Sequence, residues 1–177
     1  MCHSTACASG LIDILAGVRA IEDGKCDRVL AGSGEAIHPL FAAGFHKMRV
    51  LAQHDDPTMA ARPFDAARNG FVMCEGAAKF VLERLDKALA RRANIYAEIV
   101  SGGIAADAHH LTGLDADSDT LAYLVGSALK RGHLAPHDLG YVNAHGTGTE
   151  QNDVMEIRGL RKALGQAADK ICVSSTK

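Results

Sequence analysis

At 177 residues the chain has the length of one domain, enough to bury a core without disulfides or metal. Hydrophobic residues make up 47% and charged residues 23%, and a formal net charge of -2 is spread along the chain, which excludes a disordered segment, a basic nucleic-acid surface and a polybasic membrane patch. Apolar runs fall short of the roughly 20 residues that cross a bilayer, and Met1-Cys2-His3-Ser4 has neither the basic nor the apolar region of a signal peptide, so the cytoplasm is the expected compartment.

Leu11, Ile14, Leu15, Val18 and Ile21 recur at helical spacing behind the candidate caps Ser4 and Thr5 and ahead of Gly24, which predicts a helix over 7–23. The run 28–32 reads as a buried strand, and 39–48 as a second helix. Residues 53–70, polar and broken by Pro57, Pro63 and Gly70, form a long ordered loop of the kind that lines a site. A strand is predicted over 77–85, a short helix over 86–92 and another strand over 96–102. After a loop at 104–117, Ser118 is placed to cap a helix whose inner face is Leu121, Leu124, Val125, Ala128 and Leu129. A strand at 141–144, a glycine loop at 145–152, a helix at 153–164 and a strand at 171–174 complete the chain. Strands alternating with helices, apolar on both faces, define an α/β chain with a largely buried sheet.

The five cysteines, at 2, 7, 26, 74 and 172, are odd in number and scattered, as free thiols in a reducing compartment are. Cys7 stands apart because Ser4, Thr5, Ala6, Ala8, Ser9 and Gly10 crowd it with small residues at the start of a helix. A helix N-terminus stabilises a thiolate and offers amides to an oxyanion, and small neighbours admit a substrate carbonyl. On this segment alone a packed structural thiol and a nucleophile stand equal. His145, in Asn143-Ala144-His145-Gly146-Thr147-Gly148-Thr149, follows a strand end with a loop whose amides and hydroxyls can approach a ligand. It is the one histidine of nine whose context favours chemistry. Lys177, in Val173-Ser174-Ser175-Thr176-Lys177, has no distinguishing pattern by itself.

Together these three segments resemble the signature of the β-ketoacyl-acyl carrier protein synthase family, most closely its type II elongation members. They occur in the family's order and near its spacing, joined by matching segments at 30–36, 62–65 and 70–77. The resemblance implies part of a thiolase-like sandwich of αβαβα layers, with 1–94 the later part of the N-terminal half carrying the nucleophile and 95–177 the start of the C-terminal half. It implies that Cys7 holds the growing acyl chain and that malonyl-acyl carrier protein loses carbon dioxide and condenses with it, in fatty acid or polyketide elongation. His145 would hold the malonyl thioester oxygen, Lys177 would polarise the site, and Asp153 and Glu156 would support Lys177. Thr147 and Thr149 would contact pantetheine, and the Cys7 amide would form half of an oxyanion hole. The implied partners are acyl carrier protein, acyl and malonyl thioesters and a second copy of the full-length chain. No metal or nucleotide cofactor is implied, the phosphopantetheine belonging to the carrier.

The family's strands before the cysteine, its second catalytic histidine and its glycine-rich oxyanion segment have no counterpart in the chain, so a fragment is expected, inactive and poorly folded alone because apolar sheet edges lie open. Cys74 stands where the family usually has glycine and Asn69 where it usually has aspartate. A non-catalytic partner resembling a chain-length factor is the alternative, disfavoured because such partners typically lose the cysteine. A metal-binding domain lacks the C-x-x-C pair or helical histidine pair it needs, and a thiolase fits the glycine and threonine loop less well.

Overall fold

The computed structural model describes residues 2–110 and 112–177, which group into two compact units, one of residues 2–36 and 74–102 and the other of 37–73, 103–110 and 112–177. In the first unit a 3-10 turn at Ala6–Ala8 runs into helix α1, Ser9–Glu22, followed by strand β1, Arg28–Glu35. Strand β2, Gly76–Glu83, and the short helix α3, Leu85–Ala90, complete it. β1 and β2 pair antiparallel, Arg28 opposite Glu83 through Glu35 opposite Gly76. α1 closes on this ribbon through Gly17, whose missing side chain admits Val29, Ala31 and Leu82. On the other face Leu30 and its cross-strand partner Val81 are 69% and 66% exposed. The expected two-sided burial of the sheet is therefore absent here, because within the unit one helix layer covers one face.

The second unit holds α2 (Pro39–Lys47), α4 (Asp119–Arg131), β3 (Tyr141–Ala144), α5 (Glu150–Leu164) and β4 (Cys172–Ser175). β3 and β4 pair in parallel, Tyr141 opposite Cys172 through Ala144 opposite Ser175. Behind them Leu129 of α4 and Leu160 and Leu164 of α5 form the core, backed by Val125, Leu139, Val142 and Ile171. Burial of each such leucine contributes about 1.5–3 kcal/mol. The loop at 53–70 holds one short 3-10 turn, Pro57–Met59, and is tied down by side chains, as its prolines and glycine suggest.

Two sequence expectations need correction. The stretch 96–102 forms no strand, and among the described residues no strand pairs with it; Tyr96 is 95% exposed. Apolar alternation alone does not make a strand where ladder partners are lacking. Ser118 precedes α4 but does not cap it: its φ of 57° is left-handed and its side chain accepts no capping bond. A serine caps from extended backbone, from which its oxygen reaches the second or third amide of the helix.

Candidate active site

Cys7 lies in the turn at Ala6–Ala8, directly ahead of α1, and is exposed. The turn is tight, with Ala6 in the left-handed region at a φ of 50°. Neither Ser4 nor Thr5 caps it. Ser9 does the tying instead: its Oγ accepts from the Thr5 amide at 2.8 Å and donates to the Ala6 carbonyl at 2.8 Å. Upstream, the His3 ring Nδ1 meets Asp13 Oδ1 of α1 at 2.5 Å, and that hydrogen bond is the main reason the Asp13 carboxyl sits below its ordinary value. The chain entering the Cys7 turn is thus fixed to α1 at His3, Thr5 and Ala6.

The second unit gathers His145, Thr147, Thr149, Asp153, Glu156 and Lys177. β3 carries the chain to Ala144 and the loop 145–149 turns it into α5, where Thr149 caps with Oγ1 accepting from the Asn152 amide at 3.4 Å. Asp153 and Glu156 are three residues apart and share one face of the first turns of α5, where the helix dipole favours negative charge. Glu156 takes the loop's first two amides, His145 N on Oε1 at 2.6 Å and Gly146 N on Oε2 at 2.8 Å. Asp153 takes the Gly148 amide on Oδ1 at 3.1 Å and the Phe64 amide on Oδ2 at 2.7 Å. Ser175, at the end of β4, places its Oγ 2.9 and 3.0 Å from the carbonyl oxygens of His145 and Gly146 and accepts from the Lys177 amide at 3.1 Å. The Thr147 and Thr149 hydroxyls lie 2.8 Å apart.

Backbone conformation makes the loop selective about residue type. Gly148 has a φ of 73°, and a Cβ there would fall 2.6 Å from the Gly70 carbonyl oxygen, while the Gly70 amide donates to the Gly148 carbonyl at 2.9 Å. Two glycines at this crossing let the 62–70 loop and the histidine loop touch backbone to backbone.

The His145 imidazole is exposed on its outer side, yet the protein crowding its inner side is the largest influence on it and pushes its pKa below the ordinary 6.5. The positive charge of Lys177 pushes the same way, and Glu156 and Asp153 oppose it. Burial and Lys177 therefore favour the neutral ring, which has one N-H to donate. The Lys177 ammonium lies 5.7 Å from the centre of the Phe71 ring, a cation-π distance. Hydrogen bonds from four residues outside the sequence-derived set complete the arrangement: Phe64, Arg68, Asn152 and Ser175. Phe64, Asn152 and Ser175 lay within segments already singled out in the sequence, without a role, and Arg68 was signalled only by the polar, broken character of 53–70. Among the described residues no group of three or more His, Cys, Asp or Glu is placed to hold a metal ion.

Beta-ketoacyl synthase domain models match nearly the whole chain, the N-terminal domain over residues 1–88 and the C-terminal domain over 96–177. The chain is 46% identical over 176 residues to the actinorhodin polyketide putative beta-ketoacyl synthase 1 of Streptomyces coelicolor, covering 98% of the chain and 38% of that protein. It is 44% identical over 178 residues to 3-oxoacyl-[acyl-carrier-protein] synthase 2 of Synechocystis, covering 99% of the chain and 43% of that protein. Among solved structures it superposes at a TM-score of 0.94 and 35% identity on a type II polyketide ketosynthase bound to a hexaketide in complex with its acyl-carrier protein, covering 98% of the chain and 43% of that one. A beta-ketoacyl synthase from Burkholderia phymatum gives a TM-score of 0.91 at 38% identity, over 98% and 42%. The architecture is thus the α/β, thiolase-like fold of ketosynthases. The chain belongs to the β-ketoacyl synthase family and spans about two-fifths of the length of the curated relatives it matches. No helix among the described residues is long and apolar enough to cross a membrane.

Proposed function

We propose that the chain carries the nucleophile and the first histidine of a decarboxylating condensing enzyme that acts on carrier-bound acyl chains in fatty acid or polyketide elongation. The Cys7 thiolate attacks the carbonyl of an acyl thioester, the bond to the pantetheine sulfur breaks, and the acyl group stays on Cys7 as the carrier leaves as a thiolate that takes a proton from water. Malonyl-acyl carrier protein then loses carbon dioxide, and the electron pair of the broken C-C bond becomes an enolate. The enolate carbon attacks the acyl-cysteine carbonyl, forming the new C-C bond and returning Cys7 as thiolate.

The observation that carries this reading is the geometry at His145: its amide is held by Glu156 and its carbonyl by Ser175, while burial and then the Lys177 charge lower the affinity of the ring for a proton. Such a ring donates a hydrogen bond to a thioester oxygen as negative charge builds there, and Lys177 strengthens that effect. Asp153 and Glu156 hold the loop in place, Thr147 and Thr149 offer hydroxyls to the pantetheine arm, and the Cys7 amide serves the acyl oxygen. The fold is read as 1–94 from the N-terminal half and 95–177 from the C-terminal half. Acyl carrier protein is the partner, the complete polypeptide pairs as a homodimer in the cytoplasm, and neither metal nor nucleotide takes part.

Release of carbon dioxide from malonyl-acyl carrier protein by the complete polypeptide that carries residues 1–177 tests the assignment. His145→Ala is expected to abolish it while leaving Cys7 open to alkylation; an undiminished rate overturns the role given to His145. Residues 1–177 alone are expected not to turn over, since Leu30 and Val81 leave an apolar face uncovered. Condensation by them alone at the rate of the complete polypeptide would contradict that.

A further inference from the structure

Arg68 stands in the polar loop that sequence reading could only call ordered, and its side chain is 13% exposed. Its three guanidinium nitrogens make four contacts. Nε faces the Thr149 carbonyl at 3.3 Å and Asp153 Oδ2 at 3.4 Å, Nη2 donates to the Glu150 carbonyl at 3.0 Å, and Nη1 returns to the Asp65 carbonyl of its own loop at 2.9 Å. The carbonyls it takes from the other loop belong to the first turn of α5, where the helix dipole disfavours a cation. Helix stability alone thus gives no reason to put it there. The Asp153 carboxylate, 2% exposed, does: it is shared between the Phe64 amide of Arg68's own loop and the Gly148 amide of the histidine loop, with Asn152 Nδ2 donating to it at 3.1 Å.

We propose that Arg68 is a positioning residue of this site, a single guanidinium that fastens the 62–70 loop to the threonine loop and balances the Asp153 charge on which both loops hang. The inference rests on the proposed role of the histidine loop for its functional meaning, but not for its geometry. Two consequences separate it from ordinary packing. A lysine supplies one compact charge and cannot span these four acceptors as the planar fork does. The charge also matters at a distance: Asp153 raises the affinity of His145 for a proton, against the lowering by burial and Lys177 and together with the raising by Glu156. Arg68, held on Asp153, is expected to offset part of the Asp153 effect.

The test is an NMR titration of the His145 ring, assigned with His145→Asn, in the complete polypeptide carrying residues 1–177. Arg68→Met is expected to move the midpoint up, Asp153→Asn to move it down, and the double variant to return it near the parent value. Arg68→Lys is expected to keep the midpoint but speed amide exchange at Gly70 and Gly148, since the charge stays and the fork is lost. A midpoint unmoved by Arg68→Met overturns the charge role, and unchanged exchange in Arg68→Lys overturns the fastening role. If Arg68→Met does not fold, the Lys variant and the double variant still decide. With malonyl thioester, Arg68→Lys should raise KM by more than it lowers kcat. Failure of the His145→Ala decarboxylation test would remove the functional reading while leaving the titration result intact.

Discussion

Asp153→Asn probes the buried charge that joins the two loops of the second unit. The carboxylate accepts from two backbone amides, Gly148 on Oδ1 and Phe64 on Oδ2, and from Asn152 on Oδ1, with Arg68 on the Oδ2 side. An asparagine offers oxygen on one side only, so one of those amides then faces an NH2 group and loses its acceptor. A buried donor without a partner costs about 1–3 kcal/mol. The same change leaves the Arg68 charge without its counter-ion, and breaking a buried pair from one side costs about 3–5 kcal/mol. Arg68 keeps its bonds to three carbonyls, which favours the low end, so the total is about 4 kcal/mol. That is a large part of the roughly 5–15 kcal/mol that holds a domain folded. At a urea dependence of about 2 kcal/mol per molar, the midpoint should fall by about 2 M. The measurement is urea unfolding followed by far-UV circular dichroism in a polypeptide carrying residues 1–177. A fall under about 0.5 M, equivalent to about 1 kcal/mol, would show that Asp153 is not the fixed point inferred for it.

Gly148→Ala puts a side chain on left-handed backbone and a Cβ 2.6 Å from the Gly70 carbonyl oxygen; the left-handed strain alone is about 1–2 kcal/mol, so urea unfolding should show a loss of at least that size and faster exchange of the Gly70 amide. Glu83 is held down to about 2, first by hydrogen bonds from Arg91 and then from Arg28. A carboxyl depressed in the folded state stabilises above its ordinary value of 4.5, and that stability is lost as pH falls toward 2. Acid unfolding should therefore be less steep between those values in Glu83→Gln, and an identical acid profile would count against the Arg28-Glu83-Arg91 cluster as a source of acid sensitivity. Lys177→Met removes a charge that lowers the His145 pKa, so the His145 ring should gain its proton at higher pH by NMR titration; a downward shift would reverse the electrostatics described here.

How much of this could be read from the chain depended on how local the determining contacts are. β3 came out at 141–144 and α1 within a turn of its observed start, because apolar spacing and a following glycine act over a few residues. The antiparallel pairing of β1 with β2 joins residues 41 apart at its nearest end, Glu35 to Gly76, and 55 apart at its farthest, Arg28 to Glu83, and periodicity carries no trace of it. The stretch 96–102 had strand composition without a pairing partner, and Ser118 had the chemistry of a cap without the backbone for it. At the site, the motif residues were legible because their pattern is compact. Arg68 and Phe64 were not, since their bonds to Thr149, Glu150 and Asp153 cross 81 to 89 residues. Ser175 lay inside a quoted motif, yet its hold on the His145 carbonyl spans 30 residues and depends on β3 lying beside β4.

The direct test of the central claim is intact-protein mass spectrometry of the complete polypeptide after incubation with an acyl thioester. A single acyl adduct is expected, located by peptide mapping to Cys7, absent in Cys7→Ala and retained when Cys2, Cys26, Cys74 and Cys172 are each changed to serine. No adduct, or one that persists in Cys7→Ala, would contradict the assignment of the nucleophile.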